Sequence, residues 1–235
     1  MKGGLKLKIF AKIKAIYVIF IVMLFVGIMI PFVAVFRKFN NRFRYLTSKA
    51  ILIFSGIRLN VVGKPDKDAD IFIINHQSMI DIMAIEVASQ KNDVAWVAKL
   101  ELFNIKYFGL SLSLTDMIDL NREDRQGIIK LLKDVKDRVS NRRTVAIFPE
   151  GTRNVENKFL PFKSGAGIIA NKLKLKVQPV VLVNTAKRFD TKNFLASNGQ
   201  IQVVFLESFY ATKERDWLQE SKDEMLKTFL AKIEK

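Results

Sequence analysis

From Leu59 onward the chain alternates short apolar runs with amphipathic segments, and a far longer apolar run precedes them. Residues Ala15 to Phe36, AIYVIFIVMLFVGIMIPFVAVF, carry no charge over 22 positions, enough to cross a bilayer as a helix. That length, with no small-x-small site behind it, excludes a cleaved signal peptide, and a buried soluble helix this long would keep some polar face. Pro31 predicts a kink near the end of the run. Phe39, Phe43, Leu46, Ala50, Phe54 and Ile57 then recur at helical spacing, with Asn41, Arg42 and Lys49 elsewhere on the wheel. This is the pattern of a helix lying in a membrane interface. Residues 1–57 therefore read as a membrane-anchoring two-helix element dipping into one leaflet, with single-pass spanning as the alternative.

Residues 58–235 read as an α/β domain. Asp70 to Ile74 is a strand, Ser78 to Ser89 a helix and Met117 to Leu120 a short strand. Asp124 to Val139 places Ile128, Ile129, Leu132 and Val135 on one helical face. Thr144 to Phe148 is apolar almost throughout, the texture of a strand buried on both faces. A helix near Ser164 to Lys174, strands at Val177–Val183 and Ile201–Leu206, and a charged helix from about Thr212 complete the series. Strands alternating with helices predict a mostly parallel central sheet flanked by helices.

Charge refines this picture. The formal net charge is +16, which on its own suggests nucleic acid. Twelve of the 39 basic residues, however, precede Asp66, the first acidic one; the rest of the chain carries only +4. The excess surrounds the apolar run, where lysine and arginine are attracted to anionic lipid headgroups. Basic residues flank the run on both sides, so they assign no orientation. With no cysteine and one histidine, disulfides, thiolate nucleophiles and a structural zinc site are excluded.

That one histidine, His76, stands in Asn75-His76-Gln77-Ser78-Met79-Ile80-Asp81, at a predicted strand-to-helix turn. Catalytic groups of α/β sheets collect at such carboxyl ends. Asp81, in the first turns of the helix, can accept from one ring nitrogen and leave the other as a general base. Spacing alone equally fits a satisfied core histidine beside a helix-first-turn acid. A second loop, Phe148-Pro149-Glu150-Gly151-Thr152-Arg153, also follows a buried strand and shifts the balance. Gly151 permits close backbone approach, and Thr152 with Arg153 offers a hydroxyl and a guanidinium fork suited to phosphate. Neither Ser78 nor Ser164 lies in a G-x-S-x-G elbow, so a serine nucleophile is rejected.

NHQSMID and FPEGTR resemble the N-H-x-x-x-x-D and F-P-E-G-T-R motifs of the glycerolipid acyltransferases, in the family's order and 74 residues apart from His76 to Glu150. The resemblance runs over nearly the whole chain and is strongest to the bacterial type that acylates 1-acylglycerol 3-phosphate. Lys99-Leu100-Glu101-Leu102, Phe108-Gly109 and Phe162-Lys163-Ser164-Gly165-Ala166 are similar to further family segments. Asp116 stands where a glycine is usual, Asn121 replaces an acid, and Gln178 replaces an apolar residue in Val177-Gln178-Pro179-Val180.

The resemblance implies acyl transfer from an acyl thioester to the 2-hydroxyl of lysophosphatidic acid, giving phosphatidic acid, with His76 and Asp81 as the general-base pair. Lys99, Arg122 and Arg153 would surround the phosphate, and Glu150, Gly151 and Thr152 would shape the glycerol-phosphate pocket. Pro179 would line the acyl-donor side. It implies no metal and no cofactor, with acyl-CoA or acyl carrier protein bringing the acyl group, membrane lipids as partners and no nucleic acid. The expected location is the cytoplasmic face of a bacterial inner membrane. Other acceptors (glycerol 3-phosphate or another lysolipid) and a non-catalytic lipid-binding role are the alternatives.

Overall fold

A computed structural model describes residues 2–89, 92–121 and 125–233 of the chain. The first helix, α1 (Lys2–Val35), absorbs the basic N-terminal segment as well as the apolar run. It continues four residues past Pro31 and gives way at Phe36 to a short 3₁₀ turn, Arg37–Phe39, so the change of direction falls after the proline. The second helix, α2 (Asn40–Phe54), returns antiparallel to α1: Phe32 meets Phe43 at 5.8 Å between ring centroids and Phe25 meets Phe54 at 5.3 Å. Leu5–Val35 is long and apolar enough to cross a membrane.

The predicted stripe on α2 points outward. Phe39, Leu46 and Phe54 are exposed, whereas Arg44, Ser48, Ile51 and Leu52 face the domain. The helix ends before Ile57, because Gly56 turns at φ +69° and Ile57 opens a strand, β1 (Ile57–Val62). Then follow β2 (Ile71–Ile74), α3 (Ile80–Ala88), β3 (Asp93–Lys99), α4 (Leu100–Phe103), α5 (Phe108–Leu114), β4 (Ile118–Leu120) and α6 (Arg125–Ser140). The remainder comprises β5 (Arg143–Ile147), α7 (Gly165–Leu173), β6 (Lys176–Val183), α8 (Thr185–Arg188), β7 (Phe189–Asp190), β8 (Leu195–Ala196), β9 (Gly199–Phe205), β10 (Phe209–Tyr210) and α9 (Trp217–Lys232).

Among the described residues the main sheet runs β1-β9-β6-β2-β5-β3-β4, with β10 also on β6. The pairings are parallel except β6 with β9 and β6 with β10, which are antiparallel. Side chains alternate across it. Phe72, Ile74, Trp96, Val180 and Leu182 pack toward α1, α2 and α3; Ile71, Ile73, Val145 and Val181 pack toward α6, α7 and α9. The first cluster includes Ala15, Val18, Ile21 and Val22 of α1, so the N-terminal hairpin shares a core with the α/β domain. The tip of the hairpin does not: Phe32, Val35, Phe36 and Phe39 are exposed.

Two of the three departures from the family pattern, Asp116 and Gln178, have local causes. Asp116 adopts φ +53°, a region where glycine is strain-free and aspartate is among the tolerated side chains. Its carbonyl accepts from Arg138 Nε and Arg143 Nη1 at 2.9 and 3.0 Å. Gln178 is buried where β6 meets the Lys64–Asp66 segment: it accepts from the Asp66 N–H at 2.9 Å and donates to the carbonyls of Lys64 and Leu206 at 3.1 and 2.9 Å. An apolar residue there would leave these main-chain groups unpartnered.

Candidate active site

Parallel pairing brings the carboxyl ends of β2, β5, β3 and β4 to one edge of the sheet, where ligands of open α/β sheets bind. Asn75 marks the point at which the chain leaves β2. Its buried amide accepts from the Leu182 N–H at 2.7 Å and donates to the Leu182 carbonyl at 3.0 Å, so a side chain completes the ladder and frees the backbone to turn. His76 follows at the turn.

Asp81 lies in the first turn of α3 and is fully buried. Its Oδ2 accepts from the N–H groups of Gln77 at 2.7 Å and Ser78 at 2.9 Å, and lies 2.8 Å from Nδ1 of His76. This oxygen is an acceptor for both amides, so its contact with the imidazole favours the tautomer with the proton on Nδ1. Among the described residues no hydrogen bond reaches the other ring nitrogen, Nε2. The imidazole is also stacked on Phe148, with ring centroids 3.8 Å apart and planes 11° from parallel.

The FPEGTR loop is fastened to the histidine segment through its backbone. Glu150 is buried, and its Oε1 accepts from the His76 N–H at 2.8 Å while Oε2 accepts from the Leu160 N–H at 2.7 Å. The Asn154 N–H donates back to the His76 carbonyl at 2.8 Å. Burial pushes the Glu150 carboxyl up to about 7, and the two amide donors only partly oppose it. Both of its oxygens are thus engaged by main chain, so Glu150 holds the two loops together. Gly151 turns at φ +73°, which a side chain would strain.

Thr152 and Arg153 emerge from this turn exposed, with Arg153 Nη1 donating to Thr191 Oγ1 at 2.9 Å. Lys99 ends β3 on the same edge and is exposed. Arg122 lies outside the described residues, two positions beyond the end of β4. Pro179 is not brought to the group. It is buried in β6 opposite Ile73, which places it about 10 Å along the strand from His76 at 3.3 Å per residue. No cluster of three or more His, Asp or Glu side chains suited to a metal occurs among the described residues.

Sequence reasoning did not single out Asn75, Phe148 or the amides of Gln77 and Ser78 as individual parts of the site. Asn75 and Phe148 lie within the two quoted motifs, and their adjacency to His76 was the available signal. The bond to Leu182, 107 residues away, was not.

The Acyltransferase family model matches residues 58–183, from β1 to the end of β6. The 1-acyl-sn-glycerol-3-phosphate acyltransferase of Helicobacter pylori is 38% identical over 221 residues, 93% of each chain. The chain belongs to the acyltransferase family. Another relative, the chloroplastic 1-acyl-sn-glycerol-3-phosphate acyltransferase BAT2 of Brassica napus, is 28% identical over 78% of this chain and 55% of its own length. Among solved structures, the 1-acyl-sn-glycerophosphate acyltransferase PlsC of Thermotoga maritima superposes with a TM-score of 0.78 at 22% identity, over 97% of this chain and 99% of that one. The fold is shared over the N-terminal hairpin as well as the sheet.

Proposed function

We propose that this acyltransferase moves a fatty acyl group from a thioester to the 2-hydroxyl of 1-acylglycerol 3-phosphate, forming phosphatidic acid. The observation that carries the reading is the His76–Asp81 pair: Nδ1 is held by a buried carboxylate and Nε2 is left open beside the FPEGTR loop. The 38% identity to an enzyme named for this reaction supports the acceptor.

Nε2 of His76 takes the proton of the acceptor hydroxyl as its oxygen attacks the thioester carbonyl carbon. A C–O bond forms and the carbonyl becomes a tetrahedral oxyanion. When the oxyanion collapses, the C–S bond breaks and the departing thiolate takes the proton from the imidazolium, leaving ester and free thiol. Asp81 keeps the imidazole in the required tautomer and stabilises its charged form. No side chain of the protein is acylated, in keeping with the absence of cysteine and of a serine elbow.

The acceptor phosphate is assigned to the cations Lys99 and Arg153 on the open edge, where the Thr152 hydroxyl is also exposed. Their charges complement a dianionic headgroup. The hairpin of α1 and α2 dips into one leaflet. Its exposed Phe32, Phe36, Phe39, Leu46 and Phe54 face acyl chains, and Arg37, Lys38 and Arg42 lie near headgroups. Coenzyme A or acyl carrier protein as donor places the site on the cytoplasmic face.

The purified chain in phospholipid vesicles, supplied with acyl-CoA or acyl carrier protein and a panel of acceptors, should yield phosphatidic acid from lysophosphatidic acid. Transfer to glycerol 3-phosphate or an uncharged lysolipid in preference would overturn the acceptor assignment.

A further inference from the structure

A line of buried aromatic and charged groups leads from the second helix of the hairpin to the imidazole. Trp96 of β3 is buried against Phe148, with ring centroids 5.3 Å apart and planes 23° from parallel, and Phe148 carries His76 on its ring face. The Trp96 indole N–H donates to Oε1 of Glu86 on α3 at 2.8 Å. Glu86 is itself buried and faces Arg44 of α2, whose Nη1 is 3.3 Å away.

We infer that Trp96 is a positioning residue for the His76 imidazole, acting through Phe148 and held in place by Glu86. The inference rests on His76 being the base. A hydrogen bond to Asp81 fixes one atom of the imidazole and leaves the ring free to turn about that contact. The flat face of Phe148 removes this freedom, provided that Phe148 cannot turn itself, and Trp96 is the ring set against it. An aromatic face also favours the imidazolium that forms during transfer.

Filling volume does not explain this arrangement. A phenylalanine at position 96 would pack the same core without requiring a buried carboxylate for an indole N–H. Burying Glu86 is unfavourable unless it is paired. The Arg44–Glu86–Trp96 arrangement therefore fixes an orientation that apolar packing would leave free.

His76 is the only histidine, so tag-free protein labelled with ¹³C,¹⁵N-histidine gives one imidazole signal, free of overlap. In the unmodified protein the ring protons should be shifted upfield by Phe148 and the nitrogens should show a single tautomer. Trp96→Leu should weaken the upfield shift, mix the tautomers and lower kcat about 10- to 100-fold, the range expected when a reacting group is misplaced by about an ångström. KM for both substrates should stay within about twofold, since only positioning of the base is lost.

Trp96→Phe, which restores a ring against Phe148 but not the bond to Glu86, should recover part of both signals. Phe148→Leu provides the same test at the second ring. A wild-type His76 spectrum and kcat in whichever leucine variant folds would overturn the proposal, as would a Trp96→Phe enzyme no better than Trp96→Leu. Undiminished turnover in His76→Ala would instead remove the base assignment, while the spectra would still report whether the stack orders the ring.

Discussion

The backbone N–H of His76 donates to Oε1 of Glu150 at 2.8 Å, joining two loops 74 residues apart in sequence. The second carboxylate oxygen accepts from Leu160, so one buried acid holds the turn after β2 against the loop after β5. A free carboxylate binding substrate would not serve both loops in this way. The geometry of the site is thus set by the protein before a lipid arrives.

This contact makes stability depend on pH. Unfolded, Glu150 loses its proton near 4.5; folded, burial holds it until about 7. Between those values the folded chain binds more protons than the unfolded chain, so the contribution is largest at low pH and declines as pH rises through the window, by roughly 3 kcal/mol in all. Glu150→Gln should flatten this slope between pH 4.5 and 7. It should also lower stability by about 1–3 kcal/mol, because an amide cannot accept at both ends. Denaturant titrations at several pH values check both effects.

Asp81→Asn should leave the turn largely intact, since one side-chain oxygen can still accept from the amides of Gln77 and Ser78. It removes the charge opposite the imidazole and permits the wrong tautomer. A loss of about 10³- to 10⁴-fold in kcat is expected, by analogy with aspartate-to-asparagine changes in serine-hydrolase triads. Steady-state kinetics with an unchanged circular dichroism spectrum would establish it.

Arg44→Met tests the buried charge network below the stack. Arg44 Nη2 is 2.6 Å from Asp93 Oδ1, and Nη1 donates to the Val94 carbonyl at 2.6 Å besides facing Glu86. Burial already raises the Glu86 carboxyl, and Arg44 opposes that rise. Removing the arginine takes the cation from buried Glu86, whereas Asp93 keeps Arg143 Nε at 3.3 Å, and should cost about 3–5 kcal/mol. The loss should be smaller at low pH, where Glu86 is protonated.

Arg153→Ala should act on the acceptor alone. Its guanidinium is exposed and bonds the Thr191 hydroxyl, so stability should change little. Loss of a charge-assisted phosphate contact should raise the acceptor KM about 10- to 100-fold, leaving the thioester KM unaltered. An effect confined to the thioester would contradict the phosphate assignment.

Much of this was legible from the chain itself. Apolar runs located β2, β5, β6 and β9 because a strand buried on both faces must be apolar nearly throughout, and two motifs located the site because both fall where such strands end. The helical period found α2 and its outward stripe of Phe39, Leu46 and Phe54. The inward face escaped it: Arg44 reads as a surface charge until Glu86 and Asp93, remote in sequence, are folded onto it. β3 was not assigned from its pattern, and with it went Trp96, whose role depends on Phe148 52 positions later. Glu150 was expected near the glycerol phosphate. Local sequence could not show that both of its oxygens are taken up by His76 and Leu160.

The most direct test of the central claim is thiol release from an acyl thioester, measured with lysophosphatidic acid as acceptor for the wild-type chain and His76→Ala in vesicles. For His76→Ala a fall in kcat of about 10²- to 10⁴-fold is expected, the ordinary worth of a general base, with vesicle binding and thermal stability preserved. Turnover by His76→Ala at the wild-type rate would contradict that claim.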